Sequence, residues 1–407
     1  MPEREHDVVL FGATGFVGRL VAAYLAQAAP PGLRVALAGR SKERLTAAAA
    51  DLPETARHWP LLEADSSDPA SLARMAETTR VLATTVGPYH RYGLPVVEAC
   101  ARAGTHYADL TGEVLFVREA IDRCDAVARE TGARLVHAAG YDSIPSDLSV
   151  FLLAERARAD GAGGLTDVRL VATVRGGFSG GTVDSMRAQV EAMATDRAVR
   201  RVIADPYALS PDRAAEPDTK QPPDAMPPSL AAGGRWTAPF VMAPFNTRIV
   251  RRSNALQDWA YGRGLRYGES MSTGRGIPGA FAAAGVTTGL AAALGAIAFP
   301  PTRALLDRVL PAPGSGPSES VRERGFFRMV VDADTEGGRR YRATVAGQGD
   351  PGYKATSVML GEAALGLALD EDRLPDRAGS LTPATALDGV LVDRLRAAGH
   401  TYEVTAL

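Results

Sequence analysis

Three glycines at three-residue spacing, Gly12, Gly15 and Gly18 in "LFGATGFVGR", have the pattern of an anion cradle. The apolar run Val8 to Phe11 precedes them, and Val17, Leu20, Val21, Tyr24 and Leu25 follow at helical spacing. Glycines between a buried strand and an amphipathic helix let the backbone turn sharply, approach a pyrophosphate and pack the helix onto the strand. Amides of the first helical turn then face the phosphates. Gly12, Thr14, Gly15, Phe16, Val17 and Gly18 are the expected phosphate loop.

A second group of residues selects the nucleotide. The strand Leu33 to Gly39 ends in Arg40-Ser41-Lys42, where an NAD site usually places a carboxylate for the ribose hydroxyls. Two cations and a hydroxyl pair instead with a 2′-phosphate, which a carboxylate would repel. The expected cofactor is therefore NADP(H). Asp65 and Ser66, past the third strand, are expected beside the adenine, though Asp65 also suits a helix cap. Val86-Gly87-Pro88-Tyr89, the end of a fourth strand over Arg80 to Tyr89, are expected beside the ribose and nicotinamide.

The loops after strands four and six should converge on the nicotinamide. They offer Tyr89, His90, Tyr141, Asp142, Ser143 and Asp147. Hydride transfer to a substrate leaves a negative charge on it, which needs hydrogen-bond donors and then a proton. Tyr141 is the first choice for polarising the carbonyl or giving the proton, and Asp142 for holding the loop or cofactor. Tyr89 completes the candidate set, with Asn246 and Arg187 behind it. The plainer alternatives are a packed Tyr141, a helix-capping Asp147 and a Ser143 bonded to loop backbone. The only lysines are Lys42, Lys220 and Lys354, so no tyrosine–lysine pair of the short-chain reductase kind stands in the expected place.

These residues require an alternating scaffold. Strands and helices alternate through "ARLVHAAGYDSIPSD", giving six strands and a Rossmann-like, doubly wound parallel α/β sheet over residues 1–148. Residues 149–350 read as a second, mixed α/β domain for substrate binding and dimerisation. It contains a proline-rich loop at 205–234 and a hairpin at Phe326 to Asp350 turning at "DTEGG". Gly176, Gly177, Gly180 and Gly181 suit either a tight turn or a second anion loop, ahead of a helix capped by Thr182 or Ser185. Residues 351–407 read as helices returning to the first domain.

Composition narrows the class. A net charge of −2 without a basic run argues against nucleic acid, and six scattered histidines argue against a metal site. Two cysteines and a charged N-terminus that leads straight into a strand point to the reducing cytoplasm. The uncharged stretch 279–299 reaches the length of a membrane span, but alanine, glycine and threonine dominate it. Its main reading is a buried or subunit-interface helix, in a homodimer or lining a groove for a lipid-like chain. Peripheral membrane contact is the lesser reading. Gly285 and Gly289 would give it a face for close packing.

The motifs "GATGFVG", "AGR", "TTVGPY", "YADLTGE" and "GYDSIPSD" together resemble the saccharopine dehydrogenase-like oxidoreductases. "PFVMAPFNTRIVRRSNAL", "GDPGYKATSVMLGEAALGLA" and "GSLTPATALDGVLVDRLRAAG" are similar to the branch of trans-acting enoyl reductases. The resemblance covers nearly the whole chain. It implies a nicotinamide-binding Rossmann domain, a second α/β domain, and reduction of a hydrophobic acyl, polyketide or lipid-like substrate, free or carrier-bound. Two alternatives follow from the same family. One is a saccharopine-type imine or amino-acid reductase, with Arg248, Arg251 and Arg252 gripping carboxylates. The other is a non-catalytic, nucleotide-bound scaffold associated with lipid.

Overall fold

A computed structural model describes residues 4–176, 187–193, 196–231, 233–298 and 316–407. The first sheet begins with β1 (His6–Phe11), β2 (Val35–Gly39), β3 (Leu61–Glu63), β4 (Thr79–Thr84), β5 (His106–Asp109) and β6 (Arg134–Val136). Between them run α1 (Phe16–Ala28), α2 (Lys42–Ala50), α3 (Pro69–Glu77), α4 (Tyr89–Ala103) and α5 (Val114–Thr131). Helices on both sides exclude water from both faces, so β1, β2 and β4 are apolar almost throughout and nearly every residue in them is buried.

The chain continues through α6 (Ile144–Ala159), β7 (Leu165–Arg175), α7 (Arg197–Ala204), β8 (Ser229–Ala231), β9 (Arg235–Pro239), α8 (Ala243–Ala255) and β10 (Arg266–Arg275). It ends with α9 (Gly276–Ala298), α10 (Glu319–Glu323), β11 (Phe326–Thr335), β12 (Arg340–Gln348), α11 (Thr356–Leu369), β13 (Gly379–Leu381), α12 (Pro383–Ala397) and β14 (Thr401–Ala406).

The first sheet has the order β13-β6-β5-β4-β1-β2-β3 and is parallel throughout. Its phosphate loop lies where the strand order reverses beside β1, the usual ligand crevice of such sheets. Six strands were expected; the seventh, β13, comes from the far C-terminal segment, in register with Arg134 to Val136. Three residues are too few to carry a period, and their partner lies more than two hundred residues away.

The second sheet has the order β14-β12-β11-β7-β10-β9-β8. It is mixed: β7 and β10 are parallel and the other pairs antiparallel. The C-terminal segment thus joins both sheets, because β14 pairs with β12 while α11 packs on α1, β4 and β5. The 205–234 stretch is irregular apart from β8, which zips onto β9. The hairpin at 326–350 forms as β11 and β12 around Glu336 to Arg339.

Two expectations are corrected by the fold. Tyr89, expected at the end of a strand, instead opens α4, with Pro88 as the N-cap. The uncharged stretch is helical from 279 to 298, but among the described residues little covers α9. Gly285 and Gly289 are exposed, and a methyl group added to either would meet nothing within 4 Å among the described residues. Of the glycines suited to a second anion loop, Gly177, Gly180 and Gly181 lie outside the described residues, as do Thr182 and Ser185. Gly176 is described and approaches Pro351 and Asp350 too closely for a side chain.

Candidate active site

A cleft of about 770 Å³ runs from the phosphate loop to α9. Its nucleotide end is mostly main chain. Gly12 has a φ of +92°, donates its amide to Ala38 and accepts the Gly15 amide at 3.0 Å. A Cβ at Gly18 would stand 2.1 Å from the Gly12 carbonyl oxygen, so only glycine lets α1 seat on the loop. Gly15 is the N-cap of α1 and supplies no side-chain oxygen, which leaves the first-turn amides for a ligand. Gly12, Thr14, Gly15, Phe16, Val17 and Gly18 all line the cleft. Phe16 is braced by Tyr353 edge-on at 5.0 Å and by the Arg322 guanidinium at 5.3 Å.

Arg40 and Arg44 line the same end. Arg44 was missed in the sequence, where the only signal was a second arginine one helical turn beyond Arg40. Ser41 and Lys42 do not line the cleft. Ser41 caps α2, accepting the Arg44 amide at 3.2 Å and donating to Glu43 at 2.8 Å, and Lys42 is exposed on the first turn. Ser66 lines the cleft, whereas the Asp65 carboxylate accepts both the amide and the hydroxyl of Ser67 at 2.8 Å. These bonds hold it below the usual carboxylate range. Asp65 thus closes a local turn through Oδ1 and is not among the residues that line the cleft. A loop glycine cradle with two cations at its edge fits a dinucleotide carrying an extra phosphate.

Val86, Gly87, Pro88 and Tyr89 continue the wall. The start of α4 is pinned by the buried Glu113 carboxylate, which accepts the Tyr89 and His90 amides at 3.0 and 2.8 Å. His90 also bonds Glu113 through Nδ1. The Tyr89 hydroxyl donates to the Thr84 carbonyl and accepts the Leu110 amide, both at 3.1 Å. Burial first, then the charge of Asp109, pushes that hydroxyl far above its ordinary range. Its geometry ties two strand ends together and leaves no proton to give.

Past β6 the structure sends two neighbouring candidates, Tyr141 and Asp142, in different directions. The ring of Tyr141 turns away from the cleft and packs on Phe327 of β11 at 5.2 Å, and its buried hydroxyl has no partner among the described residues. Asp142 faces the cleft instead. Its carboxyl has no hydrogen-bond partner among the described residues, and burial pushes it up to about 7. Thr356 also lines the cleft; its hydroxyl oxygen accepts the Tyr141 amide at 3.0 Å.

The remaining candidates form the frame. Ser143 donates to Asn246 at 3.0 Å, and Asn246 donates to Ser146 and to the buried Glu269. Burial pushes Glu269 up to about 7, and the Tyr267 hydroxyl donates to it at 2.7 Å. Asp147 was expected to cap its own helix. It lies inside α6, where its carboxyl accepts the Ser253 hydroxyl and the Ala384 amide at the start of α12. Arg187 pairs with Glu191 at 2.9 Å.

The arginines of α8 are buried and engaged. Arg248 pairs with Asp224 at 2.6 Å and donates to the Ile203 carbonyl. Arg251 donates to the carbonyls of Pro206 and Tyr267, and Arg252 to those of Leu209 and Ser380. Among the described residues no cluster of histidine, cysteine and acidic side chains could hold a metal.

Fold and cleft together define an NADP(H)-dependent oxidoreductase. Residues 8–136 match the saccharopine dehydrogenase NADP-binding domain. Yeast saccharopine dehydrogenase (L-Glu forming) shares the fold over 98% of this chain and 99% of its own, with a TM-score of 0.55 at 13% identity. The NAD complex of homospermidine synthase from Legionella pneumophila shares it with a TM-score of 0.52 at 10% identity, over 100% and 92%. The chain belongs to the trans-acting enoyl reductase family. A Mycobacterium tuberculosis relative provisionally so named is 52% identical over 418 residues, covering 99% of this chain and 98% of that protein. The trans-acting enoyl reductase of Mycobacterium ulcerans is 48% identical over 418 residues, covering 100% and 99%.

Proposed function

We propose that the protein reduces the carbon–carbon double bond of a hydrophobic, thioester-linked acyl chain with NADPH. The observation that carries this reading is the far half of the cleft. Phe240, Met242, Phe245, Leu290 and Leu294 wall it, while Arg248, Arg251 and Arg252 are buried and bonded elsewhere. An imino or amino acid needs free cations for its carboxylates, whereas an acyl chain needs apolar walls. The names of the relatives support the same chemistry. "Trans-acting" suits an acyl chain that reaches the enzyme on a separate carrier.

The phosphate loop would hold the pyrophosphate on its amides, and Arg40 with Arg44 would pair with the 2′-phosphate. NADPH held there would supply the hydride that the β-carbon needs. The α-carbon then needs a proton, and Asp142 gives it. A carboxyl near 7 is protonated in a large share of molecules at neutral pH, and no competing hydrogen bond holds this one among the described residues. The Thr356 hydroxyl, whose oxygen already accepts the Tyr141 amide, donates a hydrogen bond to the developing enolate oxygen and keeps its proton. In this scheme Tyr141 and Tyr89 are supports for the site.

NADPH oxidation tests the reading, with an α,β-unsaturated acyl thioester and an imino acid run in parallel. Turnover on the thioester alone is expected. Turnover on the imino acid alone, or on neither, overturns it.

A further inference from the structure

We infer that α9 and the adjoining β8–β9 hairpin form a docking surface for an anionic lipid membrane. The inference stands independently of the reaction read above. Residues Gly276–Ile297 are long and apolar enough to cross a bilayer, yet 11% of the most apolar part of that span is buried. At its N-terminal end Ile277 and Phe281 are 74% and 76% exposed, and Leu230 on β8 is 60% exposed beside Trp236 in the strand register. An apolar surface of this size is rarely left facing water.

The charges beside it indicate what covers it. Arg235 and Arg275 stand directly opposite one another across β9 and β10, and both are exposed. Neither has an ion-pair partner among the described residues. Like charges at opposed strand positions repel, so this arrangement costs stability unless an anion lies over both. No acidic residue occurs in Ser229 to Pro239 or in Gly276 to Ala298. A second copy of the chain, docked on this patch about a twofold axis, would bring two more arginines and nothing to neutralise them. A bilayer with acidic headgroups supplies both the anion and the apolar layer, and a tryptophan beside cations suits its interface.

The helix lies along the surface. Thr273 holds the Gly279 carbonyl at 2.9 Å, while Leu290 and Leu294 face the cleft. One side of α9 therefore walls the cleft while the other rests on lipid, as an interfacial helix does.

Sedimentation of the full chain with phosphatidylcholine vesicles, with and without phosphatidylglycerol, tests the inference. Binding is expected only when phosphatidylglycerol is present, and it should weaken as salt rises. The double variant Arg235→Gln/Arg275→Gln should bind roughly thirty-fold more weakly. Phe281→Ser, at an exposed position, should bind about tenfold more weakly. Unchanged NADPH affinity in each variant shows that the fold is intact. Absence of wild-type binding, or binding that neither variant weakens, overturns the inference. So does a Phe281→Ser that turns a dimer into a monomer when the wild type binds no vesicles, because the surface then belongs to a second copy.

Discussion

At one end of the cleft the ligand meets main chain, and at the other it meets side chains. The nucleotide end centres on the loop from Phe11 to Gly18, where glycines at 12, 15 and 18 decide how close two backbones come, with Arg40, Arg44 and Ser66 at its edge. The far end, where we propose that an acyl chain binds, takes Asp142 from the loop after β6, Met242 and Phe245 from the start of α8, Leu290 and Leu294 from α9, and Thr356 from α11. The difference lies in what each end must recognise. Every dinucleotide offers the same phosphates, and a local cradle of amides binds them. An acyl chain with a reacting double bond needs a wall, an acid and a donor held in fixed relation, and no single segment supplies all three.

The sharpest break falls on the main-chain end. Gly18→Ala puts a methyl 2.1 Å from the Gly12 oxygen, where neither backbone can yield cheaply. It should destabilise the first domain by about 3 kcal/mol or more, read as a lowered Tm and lost NADPH binding. A variant with native stability would mean that the loop is not the tight corner described.

On the side-chain end, Asp142→Asn should lower kcat by roughly a hundredfold to ten-thousandfold while leaving NADPH affinity near wild type. The acid must be protonated to act, and burial places its titration at about 7. Wild-type turnover should therefore fall as pH rises through about 7, and the variant should lose that limb of the profile. An unchanged limb would assign the titration to another group.

Charge at the nucleotide edge comes next. Arg40→Ala/Arg44→Ala should weaken NADPH binding by about ten- to a hundredfold, at roughly 1.5–3 kcal/mol for hydrogen bonds to a charged group, and scarcely alter NADH binding. Equal losses would remove the 2′-phosphate argument. The smallest change is expected for Tyr141→Phe. Its hydroxyl is buried without a partner among the described residues, so turnover should hold and stability should stay within about 1 kcal/mol of wild type or rise. A large fall in kcat would return Tyr141 to the chemistry.

Much of the scaffold was legible because its rules are local. Glycine spacing, the strand before it and the helix after it lie within one short stretch, and Arg40 follows its strand directly. Errors appeared where neighbouring residues part company in space. In the sequence Tyr141 is the first choice for chemistry and Asp142 a holding residue, but consecutive side chains point in different directions, and only Phe327 on a distant strand shows which one is packed away from the cleft. Asp65 and Ser66 divide in the same way, one into a turn and one toward the cleft. Arg248, Arg251 and Arg252 read as a carboxylate clamp until the carbonyls of Ile203, Tyr267, Leu209 and Ser380 are seen around them.

The sequence by itself determined the alternating sheet, the phosphate cradle and the preference for a ribose bearing an extra phosphate. Backbone geometry, apolar period and the sign of charge act over a few residues, so they are written in order along the chain. Tertiary structure decided which acid faces the cleft, where the C-terminal strands pair and which face of α9 turns away from the cleft. Each of those depends on packing against elements outside its own segment, as when β13 pairs with β6 or α9 packs on β9. Burial sets the proton affinity of Asp142, and its neighbours in sequence carry no trace of it.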